Sequence, residues 1–423
     1  MIRFLQVSDI HFLYCSESED EYSQLRMRFK EDLECLKKKV GAIPYLLICG
    51  DVASKGQCTE FDAATNYIQQ LCETLEADGH RPNVFVVPGN HDIDRTPYKY
   101  TREHFRSKLL CFENKQNDYF MQELRKSEPY SLKILYLPLK AYTKFADDYS
   151  SNDELAEALN LEGTCSDLTN KNLFWKRPIG KIGNYTINIV GLNSTLVCDG
   201  MEREFPDSSK GEHTLFLPFM GYNVVTRSNE VNISMIHHPI SWLGNEDKVQ
   251  NIFDDRFKIQ FYGHMHKQSS SSGTAIKIYS GALQPPSGDD DYPPVYNYIE
   301  VDIKESNLMV SINCRKWDGR KFVKYVEECK SYTLPLIKED LWNVEDKNDA
   351  QKELHIESTP IPTHEIIQLF RIQAPAVKKQ IISEMESEEY NKQLSSHIHE
   401  LHFLKTIKAT NRLTELYNKL LNI

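Results

Sequence analysis

Short apolar runs alternate with amphipathic stretches along the N-terminal part of the chain. The runs Arg3 to Ser8, Tyr45 to Cys49 and Asn83 to Val87 have the length and composition of buried strands. Between them, Tyr22 to Val40 carries apolar residues at helical spacing, and a second helix is expected after Thr59, whose hydroxyl could cap it. This β–α–β–α–β order predicts an open α/β sheet.

The same pattern returns further along the chain. Val231 to Ile236 and Ile259 to Tyr262 predict two more strands, each ending at histidines. An antiparallel run is expected at Ile276 to Ser280, Val295 to Asp302, Leu308 to Cys314 and Phe322 to Val326. All of these segments fit an α/β (α+β) sandwich. We therefore predict two mixed β-sheets flanked by helices in a four-layer core, with a C-terminal helical extension.

Composition narrows the class of protein. Hydrophobic residues make up 40% and charged residues 26%, as in an ordinary globular chain. No apolar run approaches the roughly 20 residues of a membrane span, and the N-terminus leads directly into a strand, so we expect a cytoplasmic protein without a membrane segment. The ten cysteines form no CxxC pair, which argues against a disulfide framework or a zinc ribbon. A net charge of −11 disfavours a surface that coats nucleic acid broadly, although it does not exclude a nuclease.

Polar side chains with metal-binding atoms follow several of the predicted strands. Asp9 and His11 come after the first strand, two residues apart, so both side chains could lie on one side of an extended segment. Asp51 follows Gly50, which lets the backbone turn sharply beside a bound ion. The other such positions are Asn90, His91, Asp92, His237, His264 and His266. In open α/β sheets, ligands bind at the edge formed by the carboxyl ends of the strands. We therefore expect these side chains to converge there.

The donor atoms indicate which metals to expect. Carboxylate, amide and imidazole groups without a thiolate suit Mn²⁺, Fe or Zn²⁺ better than Ca²⁺ or copper. A single DxH or HxH fragment is usually a surface turn or a satisfied core histidine. The ordered set at successive strand ends is a much more specific signal, because structural histidines have no reason to collect at one edge of a sheet.

These motifs together match a family pattern. The series Asp9-x-His11, Gly50-Asp51, Gly89-Asn90-His91-Asp92, His237-His238-Pro239 and Gly263-His264-x-His266 resembles, motif for motif, the calcineurin-like metallophosphoesterase superfamily. The resemblance implies two divalent metal ions, and we expect Mn, with Fe or Zn as alternatives. It implies that one ion is held by Asp9, His11 and His266, that the other is held by Asn90, His237 and His264, and that Asp51 bridges them.

The resemblance also implies roles beside the metals. His91 matches the position near the substrate, where it would stabilise or protonate the departing oxygen. Asp92 would orient His91 by accepting its other N–H. Of the pair at 237 and 238, His237 matches the metal ligand, and His238 is expected to be structural or near the substrate.

The activity that follows is phosphoester hydrolysis by water that the two metals activate. We expect a phosphodiesterase acting on a nucleotide or nucleic-acid phosphodiester. The alternatives are a phosphomonoesterase or protein phosphatase, and an effector subunit docked through its helical tail to an NTPase or similar partner.

Outside the motifs the sequence is less specific. Residues 1–330 are expected to form the catalytic domain, in which residues 96–180 are a helical insertion, either a cap over the metals or a plain outer layer. A polar loop from Asp199 to Pro218 contains Arg203, Lys210 and His213, which could meet phosphate but are more simply solvated, and Gln268 to Gly273 is expected to be a flexible serine-rich loop.

The C-terminal part changes character. Residues 331–363 are expected to form a linker or wrapping segment, and residues 364–423 a helical region. Its apolar residues recur at spacings of three and four, as in Leu413, Leu416, Leu420 and Ile423. This region is expected either to pack on the catalytic domain or to bind a protein partner or a second copy of the chain.

Overall fold

The central strands are buried along nearly their whole length, as strands covered on both faces are. The computed structural model describes residues 1–13, 20–96, 134–147, 174–285 apart from 225, 228 and 245, and 292–336, together with isolated positions elsewhere. The chain divides into two compact units, Met1–Leu341 and Trp342–Ile423.

The first unit contains two β-sheets. Its strands are β1 (Ile2–Val7), β2 (Tyr45–Ile48), β3 (Asn83–Val86), β4 (Phe174–Ile182), β5 (Tyr185–Leu192), β6 (Glu230–Ile236), β7 (Ile259–Tyr262), β8 (Ser269–Ser272), β9 (Ile276–Tyr279), β10 (Val295–Lys304), β11 (Asn307–Trp317), β12 (Phe322–Lys324) and β13 (Lys330–Pro335). One sheet has the order β12-β11-β10-β1-β2-β3, with β13 also paired to β11, and the other has the order β4-β5-β6-β7-β9-β8. Both mix parallel and antiparallel pairs, as predicted.

Helices cover the outer faces of the sheets. They are α1 (Ser23–Val40), α2 (Cys58–Leu75), α3 (Lys140–Ala146), α4 (Phe219–Tyr222) and α5 (Glu246–Arg256), with 3-10 turns at Leu137–Leu139, Ser208–Lys210, Ile240–Trp242 and Val326–Glu328. In β1, Phe4 joins the core between the sheets, whereas Leu5 and Val7 join the core that includes Phe29 of α1 and Phe253 of α5. This two-residue alternation builds the helix–sheet–sheet–helix sandwich that the sequence predicts.

Two boundaries differ from the sequence prediction. Residues 96–180 were expected to be helical, but β4 begins at Phe174 and forms an edge of the second sheet. Its polar residues and the register shift between Pro178 and Gly180 suit an edge strand and hide its β character in the sequence. The expected linker at residues 331–363 begins inside β13, which pairs with β11. Most of the insertion lies outside the described residues, so its expected role as a cap stays a prediction.

Two local expectations were also wrong. Helix α2 begins at Cys58, and Glu60 caps it by accepting the backbone N–H of Gln57 at 3.0 Å, so the Thr59 hydroxyl is not the cap. The serine-rich segment after Gln268 is the edge strand β8 rather than a loop, because its residues pair with β9.

The second unit is described only at isolated helical positions. Phe370 and Phe403 are fully buried, and their rings lie 5.2 Å apart. Of the predicted C-terminal stripe, Leu416 is buried and Leu413 is partly buried, while Leu420 and Ile423 lie outside the described residues. Among the helices that the structure describes, none has the length and apolar character needed to cross a bilayer.

Candidate metal centre

The three parallel strands of the first sheet deliver their following residues to one place. Val7 pairs with Ile48, and Ile48 with Val86, so the three strands end level with one another. Past the strand ends the backbones stay in contact, since the amides of Ile10 and His11 both donate to the carbonyl of Asp51, at 2.8 and 3.0 Å. The loops that carry Asp9, His11 and Asp51 are therefore fixed by backbone hydrogen bonds.

The second sheet meets the first at the same edge. Strands β6 and β7 end at the paired residues Ile236 and Tyr262, so His237 and Gly263 follow side by side, and the Gly263 amide donates to the His237 carbonyl at 3.0 Å. The amide of His264 donates to Asp9 Oδ2 at 3.2 Å. This contact joins the metal-binding motifs of the two sheets.

Asp9, His11 and His266 form the first group. One donor atom from each lies within 4.8 Å of the others. His266 Nε2 is 3.4 Å and His11 Nε2 is 3.9 Å from Asp9 Oδ1. Burial would raise the pKa of the Asp9 carboxyl, but His266 and His237 together outweigh burial and the pKa is lowered. The arrangement brings together the three side chains that the resemblance assigns to one ion.

Asn90, His237 and His264 form the second group. Asn90 Oδ1 lies 3.1 Å from His237 Nε2 and 3.1 Å from His264 Nδ1. The other ring nitrogen of His237, Nδ1, is 2.8 Å from the carbonyl of Cys49, to which it donates. That hydrogen bond fixes the tautomer and directs the Nε2 lone pair at the cluster, as in metal-ligating histidines.

Asp51 lies between the two groups. Its Oδ2 is 3.2 Å from His237 Nε2, and its Oδ1 accepts the backbone N–H of His91 at 2.7 Å. Donor atoms of Asp9, Asp51 and His237 also lie within 4.8 Å of one another. Asp51 thus has the position expected of a bridging carboxylate.

The cluster fits divalent cations. Asp9 Oδ1 and His11 Nε2 are buried and have no hydrogen-bond partner among the described residues. Burial opposes the charged form of His237, yet Asp51 raises the pKa of His237 to about 9, so without a metal Nε2 carries a proton, which a cation would replace. Burial and the nearby His237 lower the pKa of His264 to about 4, which keeps that imidazole neutral and able to ligate. Buried carboxylates facing imidazole lone pairs are the chemistry of a metal site.

The backbone at the cluster is unusual. Asp9, His11, Asp51, His264 and His266 all have φ between +50° and +69°. Each such left-handed residue costs about 1–2 kcal/mol relative to ordinary backbone. The expectation that Asp9 and His11 lie on an extended segment was therefore wrong. Their side chains converge because the backbone turns at each of them.

His91 and Asp92 differ from the predicted pair. Nδ1 of His91 lies 2.9 Å from the carbonyl of Ser54, and the carboxylate of Asp92 accepts the amides of Ala53 at 2.7 Å and Gly89 at 2.8 Å. The expectation that Asp92 orients the His91 ring was wrong: Ser54 takes that position, and Asp92 fixes the loops around the site. Burial, reinforced by the charge of Asp51, raises the pKa of Asp92 to about 8.

His91 remains next to the cluster. Its ring packs edge-on against His11 with centroids 4.8 Å apart, and one of its donor atoms lies within 4.8 Å of those of His11 and Asp51. The assignment of His91 to the substrate side rather than to a metal therefore depends on a measurement of metal content.

Several further residues surround the histidines of the site. His238 is fully buried, with Nδ1 2.8 Å from Ser194 Oγ, and its ring lies 4.5 Å from that of His264. Trp242 packs edge-on against His264 at 4.3 Å. The carbonyls of Cys49 and Ser54 could not be found from sequence, because every residue has a carbonyl. Trp242 could have been suspected only from an aromatic residue close behind the His237 motif.

Basic side chains of the loop from Asp199 to Pro218 lie close to carboxylates of the same loop. Arg203 lies 3.7 Å from Glu212, Lys210 lies 3.6 Å from Asp207 and is 70% exposed, and His213 lies 3.5 Å from Asp199. The ion pairs of Arg203 and Lys210 support the solvated-loop interpretation for those two side chains. His213 is instead largely buried, and burial lowers its pKa.

The chain is similar to several known proteins. The metallophosphoesterase-like protein YydB of Bacillus subtilis is 24% identical over 338 residues, which cover 75% of this chain and 60% of YydB. This chain thus spans about 60% of the length of that curated relative. Purple acid phosphatase PPD1 from yellow lupin (Lupinus luteus) is 11% identical, over 79% of this chain and 53% of that one, with a TM-score of 0.42. Vps29 from Entamoeba histolytica, solved with Zn²⁺, is 12% identical over 78% of this chain and 99% of its own, with a TM-score of 0.32.

A match to a family model shows which protein family this chain belongs to. The model described as calcineurin-like phosphoesterase matches residues 2–268, more than half of the chain. The match runs from β1 to the segment just after His266 and so includes every motif of the metal cluster. The chain belongs to the calcineurin-like phosphoesterase family.

Proposed function

We propose that this protein is a phosphodiesterase that hydrolyses a nucleotide or nucleic-acid phosphodiester. It would use two divalent metal ions, for which Mn²⁺ is the favoured metal. Phosphoester hydrolysis follows from the family. The observation that supports a dinuclear site is the convergence of two ligand groups on Asp51. In addition, Asp9 Oδ1 and His11 Nε2, which could bind a metal, have no hydrogen-bond partner among the described residues. Mixed oxygen and nitrogen donors without a thiolate favour Mn²⁺, with Fe and Zn²⁺ as alternatives.

Each protein group has a distinct part in the proposed reaction. One ion would be held by Asp9, His11 and His266. The other ion would be held by Asn90, His237 and His264, and Asp51 would hold both ions. When bound, the ions supply activation of a water molecule and neutralisation of the phosphoryl charge. The hydrogen bond from His237 Nδ1 to Cys49 and the rings of His238 and Trp242 keep their partner imidazoles oriented toward the cluster.

His91 would donate a proton to the leaving group or stabilise its charge. The Ser54 carbonyl accepts a hydrogen bond from Nδ1, which fixes the ring at the edge of the cluster. An imidazole held at this position can donate a proton to a departing oxygen or stabilise its charge.

Metal content and substrate preference test the proposal together. After reconstitution with Mn²⁺, Fe or Zn²⁺, elemental analysis should find about two ions per chain, as a two-metal site requires. The loaded protein should cleave phosphodiesters faster than phosphomonoesters, and EDTA should abolish turnover. A metal content near zero with every ion would contradict the dinuclear site, and faster hydrolysis of monoesters or phosphopeptides would favour the phosphatase alternative.

We also propose a cytoplasmic location. No disulfide joins the seven cysteines that the structure describes, which suits a reducing compartment. Fractionation of cells that express the chain tests this, and recovery outside the cytoplasmic fraction would contradict it.

A further inference from the structure

A cleft of about 680 Å³ opens beside the metal cluster. One of its walls includes His11, a proposed metal ligand, together with the next residues Phe12 and Leu13. The other walls come from the first half of α1 and the middle of α2. The cleft is far larger than a phosphoryl group and lies in the size range of pockets that enclose small organic ligands. A phosphoester held at the cluster can therefore extend its organic part into this space.

The floor of the cleft is formed by Arg26, whose guanidinium is held in place by several contacts. The guanidinium of Arg26 lies over the rings of Phe12 and Tyr67, at 5.3 and 5.8 Å from their centroids. The same group forms an ion pair with Asp20 and donates from Nη1 to Gln284 Oε1 at 2.6 Å. These contacts compensate the charge of Arg26 and hold its plane in place, so the floor is ready to receive a planar ligand.

The charge of the cleft argues against a polyanion. Its lining has two basic side chains, Arg26 and Lys30, and two acidic ones, Asp20 and Glu21, which leaves a formal charge of zero. Lys30 Nζ is already bound to Gln70 Oε1 at 2.7 Å. A nucleic-acid strand needs a positive groove that tracks its phosphates, and the walls do not supply one.

The rim combines apolar and amide groups. Met27 is 46% exposed and Leu13 is 50% exposed, although both are large apolar residues. The carboxamides of Asn66 and Gln70 lie on α2 along the same cleft. A nucleobase has this same combination of apolar faces and a hydrogen-bonding edge.

We propose that the cleft binds the nucleoside part of a small nucleotide phosphodiester, with the base between the Leu13 and Met27 rim and the Arg26 floor, and the phosphate at the metal cluster. This inference rests on the proposed phosphodiesterase function and narrows it to small nucleotides.

Two esters with the same leaving group test the inference. The Mn²⁺-loaded protein should show a KM about tenfold or more lower for thymidine 5′-(p-nitrophenyl phosphate) than for methyl p-nitrophenyl phosphate, a difference of about 1.4 kcal/mol in binding. Met27→Glu should remove most of that difference while leaving kcat/KM for the methyl ester within about twofold of the parent. Met309→Glu, at a methionine that is 39% exposed on β11, should change neither value and serves as the matched control.

A binding measurement separates this inference from the proposed activity. Saturation-transfer NMR with thymidine, which has no phosphate, should show contact with the parent and the Met309→Glu variant and much less with Met27→Glu. If no phosphodiester is cleaved but this binding pattern is found, the activity is wrong and the nucleoside site stands. If the two esters are cleaved with equal KM, if thymidine binds Met27→Glu as well as the parent, or if a single-stranded oligonucleotide is strongly preferred, the nucleoside site is overturned.

Discussion

Five of the proposed metal ligands, Asp9, His11, Asp51, His264 and His266, sit on left-handed backbone, and this geometry links metal binding to stability. Non-glycine residues adopt it rarely, and sites that hold strain of this kind depend on surrounding interactions to maintain it. Bound cations would supply such interactions, because each would attract the buried Asp9 and Asp51 carboxylates.

Metal removal is therefore expected to destabilise the fold. Dialysis against EDTA should lower the thermal unfolding midpoint, since an ion at a hundred times its Kd stabilises by about 2.7 kcal/mol per site. Scanning calorimetry with and without Mn²⁺ measures the shift. Asp51→Asn, which should disturb both ions, ought to show a much smaller shift with EDTA, and an equal shift in that variant would contradict the bridging role.

The role of His91 can be separated from that of the metal ligands by substitution. His91→Ala should lower kcat by about 10²–10⁴-fold, the usual contribution of a general acid, while leaving the metal content unchanged. His80→Ala removes an exposed histidine and is the control. Loss of metal from His91→Ala, or unchanged turnover, would show that His91 does not act on the leaving group.

Asp92 is expected to matter chiefly for the integrity of the loops. In Asp92→Ala the buried amides of Ala53 and Gly89 lose their acceptor, at a cost of about 1–3 kcal/mol each. Urea unfolding of the metal-free chain measures this loss directly. Asp94→Ala, which removes a partly exposed carboxylate bound to Thr96, should cost much less. Equal stability of the two variants would contradict this role for Asp92.

At the scale of elements, the site depends on how closely the ends of β2 and β3 approach. A Cβ at Gly89 would lie 2.1 Å from Asp51 Oδ1 and 2.3 Å from Asp51 N, closer than atoms can pack. Only glycine therefore lets the third strand end against the second while Asp51 faces the cluster.

Gly89→Ala is expected to separate these two loops. The variant should bind less metal and lose activity, because Asp51 must move to make room for the methyl group. Elemental analysis and the chromogenic diester assay check both effects. Gly273→Ala, where a Cβ would meet nothing within 4 Å, is the matched control and should behave like the parent. Full metal occupancy in Gly89→Ala would contradict the close approach.

At the scale of the whole molecule, the metal cluster draws all of its residues from the first unit, Met1–Leu341. The second unit contains buried apolar positions of its own, among them Phe403, Ile407 and Leu416. Burying side chains of this size contributes about 1.5–3 kcal/mol each before ordering costs, which supports the folding of this unit.

Truncation after residue 363 tests the proposed role in assembly. The shortened chain should keep its metal content and its hydrolysis of a small diester. Light scattering should show fewer chains per particle than in the full-length protein. An unchanged number of chains per particle, combined with a lowered unfolding midpoint, would mean that residues 364–423 only stabilise the rest of the chain. The proposal that they mediate assembly would then be wrong.

The sequence by itself determined the sandwich and supplied the proposal of seven ligands. Strand periodicity placed Asp9, Asp51, Asn90, His237 and His264 just past buried segments, and hydrophobic alternation is a local property that can be read without coordinates. The edge strands β4 and β8 escaped notice for the same reason, because edge strands are polar and lack that pattern.

Only the tertiary structure decided what surrounds those ligands. The partner of the His91 ring is the carbonyl of Ser54, and Asp92 accepts the amides of Ala53 and Gly89. Such backbone groups have no sequence signature, so their pairing follows only from the packing of distant loops. The cleft between α1 and α2 depends in the same way on two helices that are separated in sequence. Residue types and spacing therefore predicted which atoms could bind metal, whereas the fold decided how those atoms are held and what lies beside them.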